Sequence, residues 1–175
     1  NVLNAVAAAS AAVTVGAGAD AVRKGLARFT GAKRRFEILY RGDGITVADD
    51  YAHHPSELRA TLETAKRLPY GRVIAVFQPF TYSRTVMLMD DFAQVLRLAD
   101  KVVLSEIMGS REVTTYGVRS ADLAAKVDGS VWFSTFEEIA DYLARNARAG
   151  DLILTLGCGD IYKAAKMTIA KLKER

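Results

Sequence analysis

The chain has 175 residues, 24 Lys and Arg against 20 Asp and Glu, and half of its residues are hydrophobic. That composition excludes disorder, whose signature is low hydrophobicity with high net charge, and suits one compact domain or one domain with a short piece of another. A single cysteine, Cys158, rules out an internal disulfide framework and fits a reducing compartment. No apolar run reaches the roughly 20 residues of a membrane span, so a cytoplasmic protein with no membrane insertion is the expectation.

The chain opens at Asn1 directly in a helical pattern, with no cap-bearing loop before it. The expectation is a piece of a longer chain whose upstream part is missing. Val2 to Val15 reads as an Ala-rich helix ended by Gly16 and Gly18. Asp20 is placed to cap a second helix with Val22, Leu26 and Phe29 on one face, and Thr30-Gly31 breaks it. Between Asp20 and Arg41, seven basic and two acidic side chains carry a net +5, leaving −1 for the rest of a chain whose net charge is +4. The basicity is therefore one patch. Nucleic-acid binders spread cations along a face with aromatics between them; this patch suits either a solvated helix face or an anionic small molecule such as a nucleotide, and no nucleic-acid partner is expected.

Lys33-Arg34-Arg35 reads as a linker, after which the period changes. Phe36 to Arg41 and Ile45 to Asp49 read as strands joined at Gly42-Asp43-Gly44. Pro55 begins a helix with Leu58, Leu62, Ala65 and Leu68 as its buried stripe. There follow a strand over 72–77, a helix over 84–98, a strand over 101–105, a helix over 120–127 and a short strand over 130–133. The next helix opens on Ser134-Thr135-Phe136-Glu137, read as a capping box. A strand over 151–156 and a closing helix over 160–173 complete the chain. Alternating strands and helices with apolar runs such as VIAVF and LILTL predict an α/β fold: a doubly wound, mostly parallel sheet with helices on both faces.

Such sheets bind ligands beyond the carboxyl ends of their strands. Three clusters fall there: 49–55 (DDYAHHP), 77–85 (FQPFTYSRT) and 157–160 (GCGD). Two carboxylates, a phenol and two imidazoles in seven residues make the first cluster dense in polar function. Asp50 suits a ribose diol, or bonds only local backbone amides. His53 and His54 diverge and lack an HxxxH or CxxC partner, so metal ligation is the lesser reading and a place beside the helix start the plainer one. Arg84 sits at a helix start, where a cation opposes the helix dipole, which hints at anion recognition; a surface ion pair with Asp90 or Asp91 is the alternative. Gly157-x-Gly159 reads as a tight turn, Cys158 as a packed residue. The chain has no Gly-Lys dipeptide and hence no P-loop of its own.

In order and spacing, the segments 49–55 and 77–85, with RRFE at 34–37 and NVLNA at 1–5, resemble the Mur ligases, and the resemblance runs along the whole chain. It implies residues 1–32 as the terminal helices of a central ATPase domain and 33–175 as a complete carboxy-terminal Rossmann-like domain. It is nearest to the members that use ATP and Mg2+ to join L-alanine to UDP-N-acetylmuramate in peptidoglycan synthesis in the bacterial cytoplasm. A sister that attaches a tripeptide to the same sugar is the alternative within the family, and a non-catalytic α/β ligand-binding module the alternative outside it. The resemblance assigns Asn1 and Asn4 to adenine, Arg35 to the ATP phosphates, and Asp50 to the ribose across the interdomain cleft. It places Tyr51, His53 and Arg84 on the muramate and alanine side, with His53 and Arg84 nearest the chemistry. The P-loop and the magnesium ligands are implied for the missing amino-terminal and central domains, so these residues alone are expected to be inactive. Phe80-Thr81 stands where many members have His-Arg, which leaves more of the acceptor contact to Arg84.

Overall fold

The computed structural model describes residues 2–29 and 31–175, which form two compact units divided between Ala32 and Lys33. The smaller unit is a pair of helices, α1 (Val2–Thr14) and α2 (Ala19–Arg28). Gly18, not Asp20, occupies the cap position of α2; Asp20 lies in the first turn and pairs with Arg23 across one turn. Phe29 lies just past the helix end and is two-thirds exposed, and none of the residues of α2 is buried.

The larger unit is one six-stranded sheet in the order β1-β2-β6-β3-β4-β5. Its strands are β1 (Glu37–Gly42), β2 (Ile45–Asp50), β3 (Arg72–Phe77), β4 (Lys101–Leu104), β5 (Val131–Trp132) and β6 (Asp151–Leu156). β1 runs antiparallel to β2 through the Asp43-Gly44 turn, and the other pairings are parallel. The helices are α3 (Pro55–Arg67), α4 (Tyr82–Met87), α5 (Met89–Leu96), α6 (Ser120–Ala124), α7 (Phe136–Asn146) and α8 (Tyr162–Lys173).

The apolar runs explain the two layers. Successive side chains on a strand point to opposite faces, so Val73, Ala75 and Phe77 of β3 join Leu152, Leu154 and Leu156 of β6 in one core with α3, α5 and α6. Ile74, Val76 and Ile153 form the other core with α7 and α8. A strand buried on both faces has to be apolar or hydrogen-bonded at every position: VIAVF is apolar throughout, and LILTL is apolar but for Thr155, whose hydroxyl donates to Asp49. Leu58 and Leu62 of α3 are fully buried, each stabilising the unit by roughly 1.5–3 kcal/mol.

Three local expectations shift. The helix expected over 84–98 is two helices broken at Leu88 (φ −113°, ψ 20°), with Asp90 and Asp91 in the first turn of the second, where acids complement the helix dipole. Leu68 lies outside the buried stripe: its ψ of 156° ends α3 at Arg67 and leaves the side chain exposed. The capping box of α7 uses Thr135 and Glu138, one residue later than Ser134 and Glu137. The Glu138 carboxylate accepts both the Ser134 hydroxyl and the Thr135 amide, so the side chain that reaches back is the second of two adjacent glutamates.

The strand ends are in register. Asp50 of β2 lies opposite Leu156 of β6, which lies opposite Phe77 of β3, which lies opposite Leu104 of β4. The residues that follow, Tyr51, Gly157, Gln78 and Ser105, therefore emerge side by side along one edge. The last ladder bonds continue into them: Gly157 N–H to Asp50 O (3.1 Å), Gln78 N–H to Leu156 O (3.0 Å) and Ser105 N–H to Phe77 O (3.1 Å).

Candidate functional site

The carboxyl edge of the sheet is organised around Arg34. Its Nε–H donates to Asp49 Oδ2 (2.8 Å) and its Nη2–H to Gly157 O (2.6 Å), while its guanidinium carbon lies 5.0 Å from the Tyr51 ring centre and 5.1 Å from that of Tyr162. Asp49 is buried at the end of β2 and also accepts the Thr155 hydroxyl (2.7 Å). Tyr51 N–H donates to Arg34 O (2.8 Å). The segment expected to be a linker is thus bolted to β2, to the turn after β6 and to α8. Sequence reasoning missed this role: Arg34 and Asp49 lie 15 residues apart, and only the fold shows that Asp49 is buried.

Arg34 and Phe36 have positive φ (57° and 51°), and Arg35 between them is exposed, its guanidinium carbon 5.9 Å from the Tyr51 ring centre. Asp50 lies beneath. Its Oδ2 accepts the Phe36 amide and its Oδ1 the Ala52 amide, both at 2.8 Å. Burial pushes its carboxyl above the ordinary aspartate value, against those amide bonds and the charge of Arg35. The local reading of Asp50 is therefore realised; each oxygen keeps one lone pair for another donor.

His54 caps α3, its ring accepting from the Ser56 amide, with Glu57 reaching back in a capping box. His53 stands beside it with a different job. Its Nδ1 faces two oxygens, Tyr51 O at 3.0 Å and Glu57 Oε2 at 3.3 Å, so Nδ1 carries a proton and Nε2 is left without a partner among the described residues. The ring meets Tyr51 and Phe80 edge-on, with centroid separations of 5.6 and 6.4 Å. Burial raises the Glu57 carboxyl, but the amides of His53 and His54 and the charge of Arg35 act against it, and the group is held below the usual range. The two imidazoles have separate partners, and among the described residues no three His, Cys, Asp or Glu side chains converge on a metal position.

Arg84, in the first turn of α4, is half-buried over the Phe80 ring (6.0 Å to the centre). Its Nη1 is buried and has no hydrogen-bond partner among the described residues. Asp90 pairs instead with Lys126, so the surface ion pair considered for Arg84 does not form there. Both Arg84 and Arg34 act on Cys158, whose thiol burial nonetheless pushes up. The turn holding that cysteine needs glycine: Gly157 has φ 146°, and a Cβ there would meet Gln78 O at 3.1 Å. Next to it a cleft of about 290 Å³ is lined by Gln78, Met108, Thr135, Phe136 and Asp160 among others.

Tyr51, His53, Arg84, Arg35 and Asp50 thus share one edge. Asn4 lies exposed on α1 in the other unit, and Asn1 lies outside the described residues. A doubly wound sheet with a tyrosine, a histidine and an arginine gathered at the carboxyl ends of its strands defines an α/β domain with a polar edge where such folds bind ligands. The chain matches the family described as Mur ligase, glutamate ligase domain, over residues 34–159, and so belongs to the Mur ligase family. It is 46% identical over 170 residues to the UDP-N-acetylmuramate–L-alanine ligase of Lachnospira eligens, covering 95% of this chain and 37% of that protein. The enzyme of the same name from Clostridium novyi is 45% identical over 171 residues, again 95% of this chain and 37% of the other. Among solved structures, the UDP-N-acetylmuramate–alanine ligase of Thermotoga maritima superposes with a TM-score of 0.80 at 28% identity, over 99% of this chain and 38% of that one. A murein peptide ligase from Psychrobacter arcticus gives 0.69 at 27%, over 99% and 37%. The chain therefore spans well under half the length of the relatives it matches.

Proposed function

We propose that the chain is the carboxy-terminal part of an ATP-dependent ligase that joins L-alanine to the lactyl carboxylate of UDP-N-acetylmuramate, in peptidoglycan synthesis in the bacterial cytoplasm. Residues 1–32 are then the last helices of a central ATP-binding domain, and 33–175 the third domain. The observation that carries the reading is Arg84: a half-buried guanidinium with an unpartnered Nη1 at the ligand edge of a fold whose relatives bear that name. A buried, unsatisfied charged donor is costly, and an anion at the edge removes the cost.

The chemistry follows in two steps. The lactyl carboxylate oxygen attacks the γ-phosphorus of ATP and ADP leaves, giving an acyl phosphate; the alanine amine then attacks the acyl carbon, loses a proton, and phosphate departs with the C–O bond electrons. Arg84 grips the alanine carboxylate or the acyl phosphate, bidentate to either. His53, with Nε2 free, orients or accepts from a donor on the substrate side, and Tyr51 walls the same side. Arg35, exposed beside Tyr51, supplies charge to the ATP phosphates. Asp50 receives the ribose diol on its remaining lone pairs, its carboxylate held by the two amides. Asn4, with Asn1, reads the adenine edge. Magnesium, bound with ATP, offsets charge on the transferring phosphoryl group; the carboxylates described offer no set of ligands for it, so its ligands are assigned to a part of the longer chain outside these residues.

The test is the product. Full-length enzyme given UDP-N-acetylmuramate, ATP and either L-alanine or the murein tripeptide is expected to yield the alanine adduct by mass spectrometry. Formation of the tripeptide adduct alone would transfer the chain to the recycling ligase, and no adduct with either would leave a binding module.

A further inference from the structure

The stretch between β4 and α6 has no part in the reading so far, yet it is fastened to the loop that carries Arg84. Thr81 N–H donates to Met108 O and Met108 N–H to Pro79 O, both at 2.9 Å, which extends parallel pairing one step past the strands at Phe80 and Met108. Gly109 lies under the Tyr82 ring so closely that a Cβ there would collide with it. Glu112 completes the attachment. Its Oε2 accepts the Ser83 amide (2.9 Å) and its Oε1 the Ser83 hydroxyl.

These bonds have a physical reason. The first amides of a helix have no intrahelical acceptor. Thr81 holds the cap position of α4 with φ 66° and ψ 141°, and its side chain makes no cap bond. The acceptor arrives from Glu112 instead. The Ser83 hydroxyl and amide hold the Glu112 carboxyl below its ordinary value, and the charge of Arg84 acts in the same direction. A carboxylate at this end of α4 also complements the helix dipole.

We propose that Glu112 is a positioning residue: from the β4–α6 segment it caps α4, fixes the turn Tyr82-Ser83-Arg84, and so aims the unpartnered Arg84 guanidinium at the acceptor anion. The role rests on the ligase reading above; the clamp itself does not.

Two readouts separate them. In the 175-residue chain, Glu112→Ala is expected to speed amide exchange at Ser83 roughly tenfold, while the part-exposed position leaves the melting temperature within about 2 °C; Glu112→Gln, which keeps one acceptor, restores part of the protection. In the full-length ligase, Glu112→Ala is expected to lower kcat/KM for alanine about tenfold through misplacement of Arg84, with the KM for ATP within about twofold of wild type. Unchanged exchange at Ser83 overturns the clamp. Faster exchange with unchanged alanine kinetics overturns its action on Arg84, and an equal loss in the ATP and alanine parameters makes Glu112 a general stabiliser. The exchange arm uses no substrate, so a wild-type enzyme without alanine-dependent turnover is recognised separately, as failure of the ligase reading.

Discussion

Arg84 is the side chain whose environment asks most directly for a ligand. Its neighbours supply an aromatic face, and none of the described residues supplies an acceptor for the buried Nη1. Lysine keeps the charge and loses the planar fork. Arg84→Lys in the full-length enzyme is therefore expected to lower alanine-dependent turnover at least tenfold, about 1.4 kcal/mol, with ATP affinity nearly unchanged; steady-state kinetics in both substrates checks it, and near-normal alanine kinetics would return Arg84 to a packing role. Asp50 makes a different prediction, because the same carboxylate ties down the Phe36 and Ala52 amides. Asp50→Ala is expected to raise the KM for ATP by an amount worth roughly 1.5–3 kcal/mol, the value of a charged hydrogen bond, with kcat little changed, since a ribose contact is equal in ground and transition states. It is also expected to lower the melting temperature, because two amides lose their acceptor. An unchanged KM for ATP in the folded variant would confine Asp50 to the backbone.

At the scale of elements, two ion pairs do unlike work. Arg34 joins the segment before β1 to β2, the turn after β6 and α8, and its partner Asp49 is 1% exposed. Arg34→Met strands that carboxylate, so urea unfolding of the 175-residue chain is expected to show a loss of about 3 kcal/mol; a loss below about 0.5 kcal/mol, the range of an ordinary surface site, would contradict the bolt. Asp100, at the turn before β4, joins α3 and β3 by accepting from Lys66 Nζ (2.7 Å) and the Val73 amide (2.8 Å). Burial raises its carboxyl, but those bonds outweigh it and hold it below the ordinary value. An acid depressed in the folded state contributes stability above its unfolded value of about 3.9, lost as the pH falls through the folded one. Because the side chain is 35% exposed, the contribution is about 0–1 kcal/mol. Asp100→Asn is expected to flatten the fall in urea midpoint below about pH 4; an acid limb as steep as wild type would show that the pair contributes nothing.

For the whole molecule, the layers were legible because strands buried on both faces are nearly continuous apolar runs, as VIAVF is throughout and LILTL is but for Thr155. The order of the strands was not, since placing β6 between β2 and β3 depends on which helix faces pack, and a linear pattern does not carry that. The site was legible as clusters: 49–55 and 77–85 emerge together because Asp50 and Phe77 flank Leu156. Its supports were not, because Arg34 and Asp49 lie 15 residues apart and Ser83 and Glu112 lie 29 apart, and separation in sequence hides a partner. The break at Leu88 had a local signal, the paired acids of a new helix start, in a stretch whose helix formers argued for continuity. On the function proposed above, this edge serves the acceptor half of an ATP-dependent alanine ligation. Phosphate release by the full-length enzyme decides the matter: it is expected only when ATP, UDP-N-acetylmuramate and L-alanine are all present, and release at the same rate without alanine, or none with all three, would overturn the proposal.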